Sequence, residues 1–197
     1  MGGVRVKGTA LLSTKQFLVD RYGADGMART LAVLSGAERD LVERRLQAAL
    51  WYPFEHWIHL CEAAATVLNG GDLALCREMG RYGGLKDLRV AVPHLLQTGD
   101  PLQLVAFAPQ LWSLYYDSGR VEIAGERPGY FELFVRDFGH PHEGHCLRVA
   151  GWIDACIELY SMRGGTEILG CRARGDAECK FRATWSAPAT APAPAAP

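Results

Sequence analysis

Residues 167–185 read EILGCRARGDAECKFRATW, and this stretch decides the fold of the C-terminal half of the chain. Gly175-Asp176 is a turn signal that lies midway between Cys171 and Cys179, and the residues on both sides suit β-strands. If a hairpin is centred on Gly175, Cys171 lies directly opposite Cys179, with Cβ atoms roughly 4.5–5.5 Å apart. Two sulfurs at that distance can share a metal ion, form a strained cross-strand disulfide or pack as small hydrophobes.

Two further patterns precede this hairpin. Apolar residues recur at helical spacing from about His145 to Ser161, and they predict one long amphipathic helix. Before that helix, apolar and charged residues alternate on both sides of the turn at residues 127–129, which predicts a first hairpin with one buried face. Both hairpins need a common sheet to bury their apolar faces.

The N-terminal half has helical rather than strand periodicity. Its predicted helices are separated by stop signals, among them Gly23 and Gly83-Gly84, and the last one begins at Asp100-Pro101. The order of elements predicts an α+β fold, in which an N-terminal helical half is followed by an antiparallel sheet made of two hairpins flanking a long helix. Residues 1–185 are expected to form a single domain, and the Ala/Pro-rich residues 186–197 a disordered tail.

Composition limits the classes of function. The 197 residues carry a net charge of −1, so nothing in the charge balance favours nucleic acid or an anionic membrane as a partner. The sequence contains neither a signal-peptide pattern nor an apolar run long enough to cross a membrane, and a cytoplasmic protein is expected. In that reducing compartment, the six cysteines are expected to be buried thiols or metal ligands rather than disulfides.

The C-terminal half resembles the 4-vinyl reductase domain. The resemblance rests on the string CLRVAGW at residues 146–152 and on the cysteine hairpin, CRARGDAECKF, at residues 171–181. This family shares a superfamily with haem-based nitric-oxide-binding domains and with the Bet3 subunits of trafficking complexes. Together with the hairpin, the strings KGTALLSTKQF (residues 7–17) and LWSLYYDSGR (residues 111–120) resemble a branch of the family expanded in myxobacteria.

The resemblance implies a metal site. The phenol sensors of the family hold zinc with three cysteines and a glutamate, and the three cysteines match Cys146, Cys171 and Cys179. The position of the glutamate is occupied by Ile168 in this chain. Glu167, which would have the same strand parity as Cys171, and His145 are the two candidates for the fourth ligand. Zinc is thus one expectation for the cluster, and packed free thiols are the other.

The resemblance to the haem-binding relatives points to a second set of residues. Those proteins ligate iron through a histidine and hold the haem propionates with a Tyr-x-Ser-x-Arg motif. Tyr116, Ser118 and Arg120 reproduce the motif, and His94 is the candidate axial ligand. His94 lies several residues nearer to the motif than expected, and these residues also suit a helix end and a strand start. Haem is therefore not expected as the cofactor.

A small-molecule pocket is the remaining interpretation. The implied fold brings together aromatic residues that suit a planar apolar ligand, namely Trp112, Tyr116, Phe131, Phe134 and Trp152. No catalytic motif supports an enzyme. We therefore expect a non-catalytic sensory domain that binds an apolar or aromatic ligand and signals through a homodimer or a partner protein. A Bet3-type interaction scaffold and a haem-based gas sensor are the alternatives.

Overall fold

A computed structural model describes residues 3–97, 99 and 101–187 of the chain, and its N-terminal half is mainly helical. The elements of this half are β1 (Arg5–Lys7), α1 (Gly8–Ala32), α2 (Gly36–Glu43), β2 (Trp51–Pro53), α3 (Phe54–Leu68), α4 (Ala74–Ala91), α5 (Pro93–Leu96), α6 (Pro101–Ala106) and α7 (Ala108–Tyr115). Strands β1 and β2 pair antiparallel and form a small separate sheet.

The C-terminal half contains the main sheet. Its elements are β3 (Arg120–Arg127), β4 (Tyr130–Arg136), α8 (Glu143–Leu159), β5 (Arg163–Gly170) and β6 (Cys179–Ser186). All neighbouring strands of this sheet are antiparallel, and they are arranged in the order β3-β4-β6-β5. The predicted α+β class, with a helical half followed by two hairpins that flank a long helix, is confirmed.

The apolar alternation of the strands explains which face of the sheet meets the helices. Strand β4 pairs with β6 so that Phe131 opposes Ala183, Leu133 opposes Phe181 and Val135 opposes Cys179, and all six side chains are buried. The residues between them form the outer face, where charged side chains pair across the strands. The inner face of the sheet and the helices therefore share one core.

Glycines at two predicted helix stops behave differently in the structure. At Gly23, φ is 70°, so α1 breaks there before it resumes, as the stop signal predicts. Helix α4, by contrast, continues through Gly83-Gly84, and the predicted stop is wrong. These two glycines face other helices, since a Cβ atom on Gly84 would lie 2.7 Å from the Cβ atom of Ala155 in α8. A Cβ atom on Gly83 would lie 2.9 Å from the Ser13 hydroxyl of α1, so both positions need a small residue because a neighbouring helix is close.

The cysteine hairpin turns through a short 3₁₀ segment, Arg172–Arg174, followed by Gly175 with φ 93°. Along most of the hairpin the register pairs Glu167 with Arg182 and Ile168 with Phe181. The register then shifts by one residue before Gly170, which pairs with Lys180. The irregularity falls at Leu169, and it changes which face of the sheet the residues on either side of it occupy.

No helix among the described residues is both long and apolar enough to cross a membrane. The predicted division into a domain at 1–185 and a tail at 186–197 stays a prediction. From residue 188 onward, the tail lies outside the described residues.

Helix α2 begins with a capping box, which leads to a pH-dependent prediction. The Glu38 carboxylate accepts a hydrogen bond from the Ser35 backbone N–H (2.9 Å) and contacts His59, while the Ser35 hydroxyl accepts one from the Glu38 N–H (3.4 Å). Hydrogen bonding with Ser35, assisted by His59, lowers the pKa of Glu38 from 4.5 to about 2. The stabilisation is therefore complete above about pH 4.5 and is lost as the pH falls towards 2.

We expect Glu38→Gln to lower the free energy of unfolding by about 1 kcal/mol at pH 7. The difference between the wild-type protein and the variant should shrink as the pH falls below 4.5. Urea unfolding at pH 7 and at pH 3 measures both quantities. Glu43→Gln, at an exposed position of the same helix, is the control. An equal loss at both pH values would contradict the role of the Glu38 carboxylate.

Candidate functional site

A cavity lies between the helical half and the sheet, in contact with α1, α3, α4, α6, α7, β3, β4 and α8. Its volume is about 110 Å³. Most of its lining is apolar, including Leu104, Val105, Leu111, Val121, Leu133 and Ile153. A concave, mainly apolar space of this kind is the typical form of a small-molecule site.

Polar groups reach the same cavity from four helices. Arg148 of α8 lines it although only 6% of the residue is exposed. From α4, the Asp87 carboxylate accepts a hydrogen bond from the Tyr115 hydroxyl (3.0 Å), and burial raises the pKa of both groups. The buried hydroxyl of Ser13 in α1 has no hydrogen-bond partner among the described residues. The cavity therefore offers a ligand one cationic group, one carboxyl group and several hydroxyl groups as polar contacts.

Four of the five aromatic residues that the sequence predicts for a pocket line this cavity. They are Trp112, Tyr116, Phe131 and Trp152. Phe134 does not line it, and that prediction is wrong. Because Phe134 alternates with the buried residues of β4, it lies on the outer face of the sheet, where the charged groups of Arg136 and Lys180 lie over its ring.

The three predicted cysteines lie together, where the first turn of α8, which carries Cys146, meets the cysteine hairpin, which carries Cys171 and Cys179. The Sγ atom of Cys146 is 3.3 Å from that of Cys171 and 3.6 Å from that of Cys179, and all three residues are buried. The hydrogen bond from the Cys146 thiol raises the pKa of Cys146 and lowers that of Cys179 to about 6. The structure thus brings the predicted residues into one cluster.

Neither predicted fourth ligand joins this cluster. Among the described residues, the group whose ligand atoms lie within 4.8 Å of one another contains only the three cysteines. Glu167 is on the opposite face, with its side chain 64% exposed and paired with Arg182, because the irregularity at Leu169 reverses the parity that the sequence suggested. His145 is buried in a set of aromatic rings, those of Phe54, Trp57, Trp112, Tyr116 and Phe138.

The residues of the haem alternative are not assembled around the cavity. Tyr116 lines it, but His94 is exposed on α5 and is absent from the lining. The Ser118 hydroxyl accepts a hydrogen bond from the Gly139 N–H (3.2 Å), and the Arg120 guanidinium pairs with Glu122 (3.1 Å) and with Asp137. The motif therefore ties the start of β3 to the loop after β4.

Comparison with solved structures gives a consistent result over nearly the whole chain. An Fe(II) unliganded H-NOX protein from K. algicida superposes with a TM-score of 0.72 at 11% sequence identity, covering 93% of this chain and 98% of that one. An H-NOX protein from S. oneidensis in the Fe(II)NO state superposes with a TM-score of 0.70 at 13% identity, covering 91% and 99%. The chain has the H-NOX fold.

A third H-NOX structure agrees with the first two. An oxygen-binding H-NOX domain related to soluble guanylate cyclases, solved as its oxygen complex, superposes with a TM-score of 0.65 at 14% identity and covers 92% of this chain and 96% of its own. No family model matches the chain. No curated protein sequence matches it either. At these identities the likeness shows the H-NOX fold alone.

The cofactor prediction, in which zinc was the candidate and haem was not expected, is contradicted by these neighbours. They were solved in Fe(II), NO and oxygen states, and a further neighbour comes from work on haem distortion in the H-NOX family. In this chain His94 is not placed to ligate a haem in the cavity. The groups at the cavity of the types that ligate haem iron in proteins are Tyr115, Tyr116 and Cys156.

These residues are of the chemical types that ligate haem iron, but they are protonated, and a protonated phenol or thiol is a poor iron ligand. Burial raises the pKa of both phenols and of the Cys156 thiol, so all three are neutral at pH 7. The cavity of about 110 Å³ is also smaller than the roughly 300–1,000 Å³ of ordinary ligand pockets. A macrocycle therefore requires the walls of the cavity to move apart.

Sequence reasoning missed Arg148, Asp87 and Tyr115. An arginine or aspartate within an amphipathic helix is usually solvated, so neither residue carries a local signal of burial. The available signal was indirect. Gly80, Gly84 and Gly151 are small residues on α4 and α8, and such residues mark a close helix contact that can enclose their neighbours.

Proposed function

We propose that this chain is a sensory domain that binds a small molecule in the cavity between its helical half and its sheet. The observation that carries the proposal is the concave, mainly apolar cavity, which is lined by aromatic rings and a few buried polar groups. This combination supports ligand binding over a Bet3-type scaffold, for which a large exposed apolar patch without a cavity is expected. Membership of the 4-vinyl reductase branch remains part of this proposal.

Haem-based gas sensing is the specific form of this function that the structural neighbours favour. The H-NOX proteins that superpose on the chain are described in Fe(II), NO and oxygen states, and they match over at least 91% of its length. When bound, a haem would supply an iron atom for a diatomic gas. The chain's own contribution would be an apolar, water-excluding cavity and a donor from Tyr115, Tyr116 or Cys156.

Signalling to a partner protein completes the proposal. A ligand changes the state of a domain only as far as it binds one conformation better than another. The elements best placed to respond are the short helices α6 and α7, because they form one wall of the cavity while α4 and α8 pack closely against each other. A homodimer or another protein that contacts α6 and α7 would sense their position.

Haem titration tests the gas-sensing form. Haem fits only if the walls of the cavity move apart, and this form of the function then predicts a saturable Soret band that shifts when NO is added under reducing conditions. His94→Ala should leave the band unchanged, because His94 is exposed and outside the cavity lining. The axial donor should be identified by the single substitution that changes the haem spectrum. The three to be made are Tyr115→Phe, Tyr116→Phe and Cys156→Ala. If the protein shows no haem absorption after incubation with excess haem and gel filtration, the gas-sensing form is ruled out.

A further inference from the structure

Arg148 is a buried cation that forms no ion pair with a carboxylate in the described structure. Only 6% of the residue is exposed, and its guanidinium lies 4.5 Å from the ring centroid of Trp57. One nitrogen donates to the Cys61 sulfur at 3.6 Å. Against the effect of burial, the hydrogen bond from the Cys76 thiol and the charge of Arg148 lower the pKa of Cys61 to about 7, so this sulfur gives Arg148 only a partial counter-charge at neutral pH. The other guanidinium N–H groups have no hydrogen-bond acceptor among the described residues.

The carboxylate of Asp87 shares the cavity and interacts with Arg148 only at longer range: burial raises the pKa of Asp87, and the charge of Arg148 offsets part of that rise. Asp87 accepts its hydrogen bond from Tyr115 and forms no ion pair with Arg148 in the described structure. Other arginines on the neighbouring helices behave differently, since Arg77 pairs with Asp154 (2.7 Å) and Arg81 with Glu158 (2.5 Å). Among the arginines of α4 and α8, Arg148 is the one that is buried, and it has no ion pair with a carboxylate in the described structure.

Burying a charged group without a partner is costly, and buried charges in proteins are normally paired and hydrogen-bonded. A guanidinium whose donors face a cavity matches the two oxygens of a carboxylate, which it can bind with two parallel hydrogen bonds. The cavity around it is lined mainly by apolar and aromatic side chains. The missing partner should therefore combine an anionic group with an apolar body.

We infer that the cavity binds a small apolar carboxylate, about the size of a single aromatic ring, with its carboxylate on Arg148. The inference rests on the proposed small-molecule-binding function and specifies the chemical class of the ligand.

The volume of the cavity sets the size of this ligand. The cavity measures about 110 Å³. An engineered apolar cavity of about 150 Å³ in another protein binds benzene, so a single ring is near the upper limit without movement of the walls. The unpartnered Ser13 hydroxyl offers a second polar contact at the same cavity. Benzoate is therefore a suitable probe, and benzamide is its neutral counterpart of nearly the same shape.

The experiment is a titration of the full chain with each probe at constant ionic strength. Binding is measured by tryptophan fluorescence and by calorimetry. Trp57, Trp112 and Trp152 line the cavity and report on its occupation. We expect benzoate to bind at least about tenfold more tightly than benzamide. Arg148→Met should remove this preference, because methionine keeps an apolar side chain of similar length without the charge.

A matched control is Arg81→Met, which removes a half-exposed arginine of α4 outside the cavity and should leave the preference intact. If Arg148→Met does not fold, the comparison of benzoate with benzamide on the wild-type protein decides alone. Equal binding of the two probes, or a preference that Arg148→Met preserves, would overturn the carboxylate inference but leave the cavity as a small-molecule site. Binding of neither probe would overturn the inference and also count against the small-molecule function for single-ring ligands.

Discussion

Gly80→Ala is expected to lower the free energy of unfolding by about 3 kcal/mol or more, or to prevent folding. A Cβ atom on Gly80 would lie 2.1 Å from the backbone carbonyl oxygen of Arg148. That oxygen belongs to the backbone of α8, so the clash can be relieved only if two whole helices separate. The same contact is visible from the other side, since a Cβ atom on Gly151 would lie 2.0 Å from the carbonyl oxygen of Arg77.

Urea unfolding of the variant and the wild-type protein measures this effect. Gly36→Ala is the matched control, because Gly36 is also helical but has no heavy atom within 4 Å of the added Cβ position. The control should change stability by no more than about 1 kcal/mol, and in the stabilising direction, from helix propensity alone. A Gly80→Ala protein with wild-type stability would show that α4 and α8 are farther apart than described.

Phe54→Ala is expected to cost about 3–5 kcal/mol of stability. Phe54 is fully buried at the start of α3. Its ring centroid lies 5.5 Å from that of Trp57, 5.1 Å from that of Phe138 and 5.1 Å from that of His145. Removing the ring leaves an empty space behind Trp57, which is part of the cavity wall, so ligand binding should weaken together with stability.

Phe134→Ala is the control for this prediction, because it removes the same side chain from the outer face of the sheet. There the ring is only partly buried and contacts the cations of Arg136 and Lys180. Its loss should cost about 1 kcal/mol and leave the cavity unchanged. Thermal and urea unfolding of both variants test the pair. Equal losses at the two positions would contradict the described orientation of β4.

Much of the fold could be predicted from the sequence because the relevant signals are local. Alternating apolar residues identified β3 and β4, and the helical stripe before the cysteine hairpin identified α8. The helical half was recognised as helical, but its boundaries were less certain. Gly83-Gly84 looks like a stop in sequence and is a close helix contact in the structure, a distinction that depends on a distant part of the chain.

The candidate site was only partly predictable for the same reason. The four aromatic residues that line the cavity could be predicted because the fold implied by the family resemblance brings the elements that carry them together. A single irregularity at Leu169 reversed the face of Glu167, and no local signal marks it. The burial of Arg148 depends on how closely α4 approaches α8, which is a tertiary property.

The glycine contact between α4 and α8 also has a consequence for the speed of ligand binding. Helices that touch through backbone atoms have little room to slide, so a ligand larger than the cavity can enter only if α6 and α7 move outward. Association should then be limited by the frequency of that opening rather than by diffusion. Stopped-flow mixing should accordingly show a binding rate that levels off at high ligand concentration.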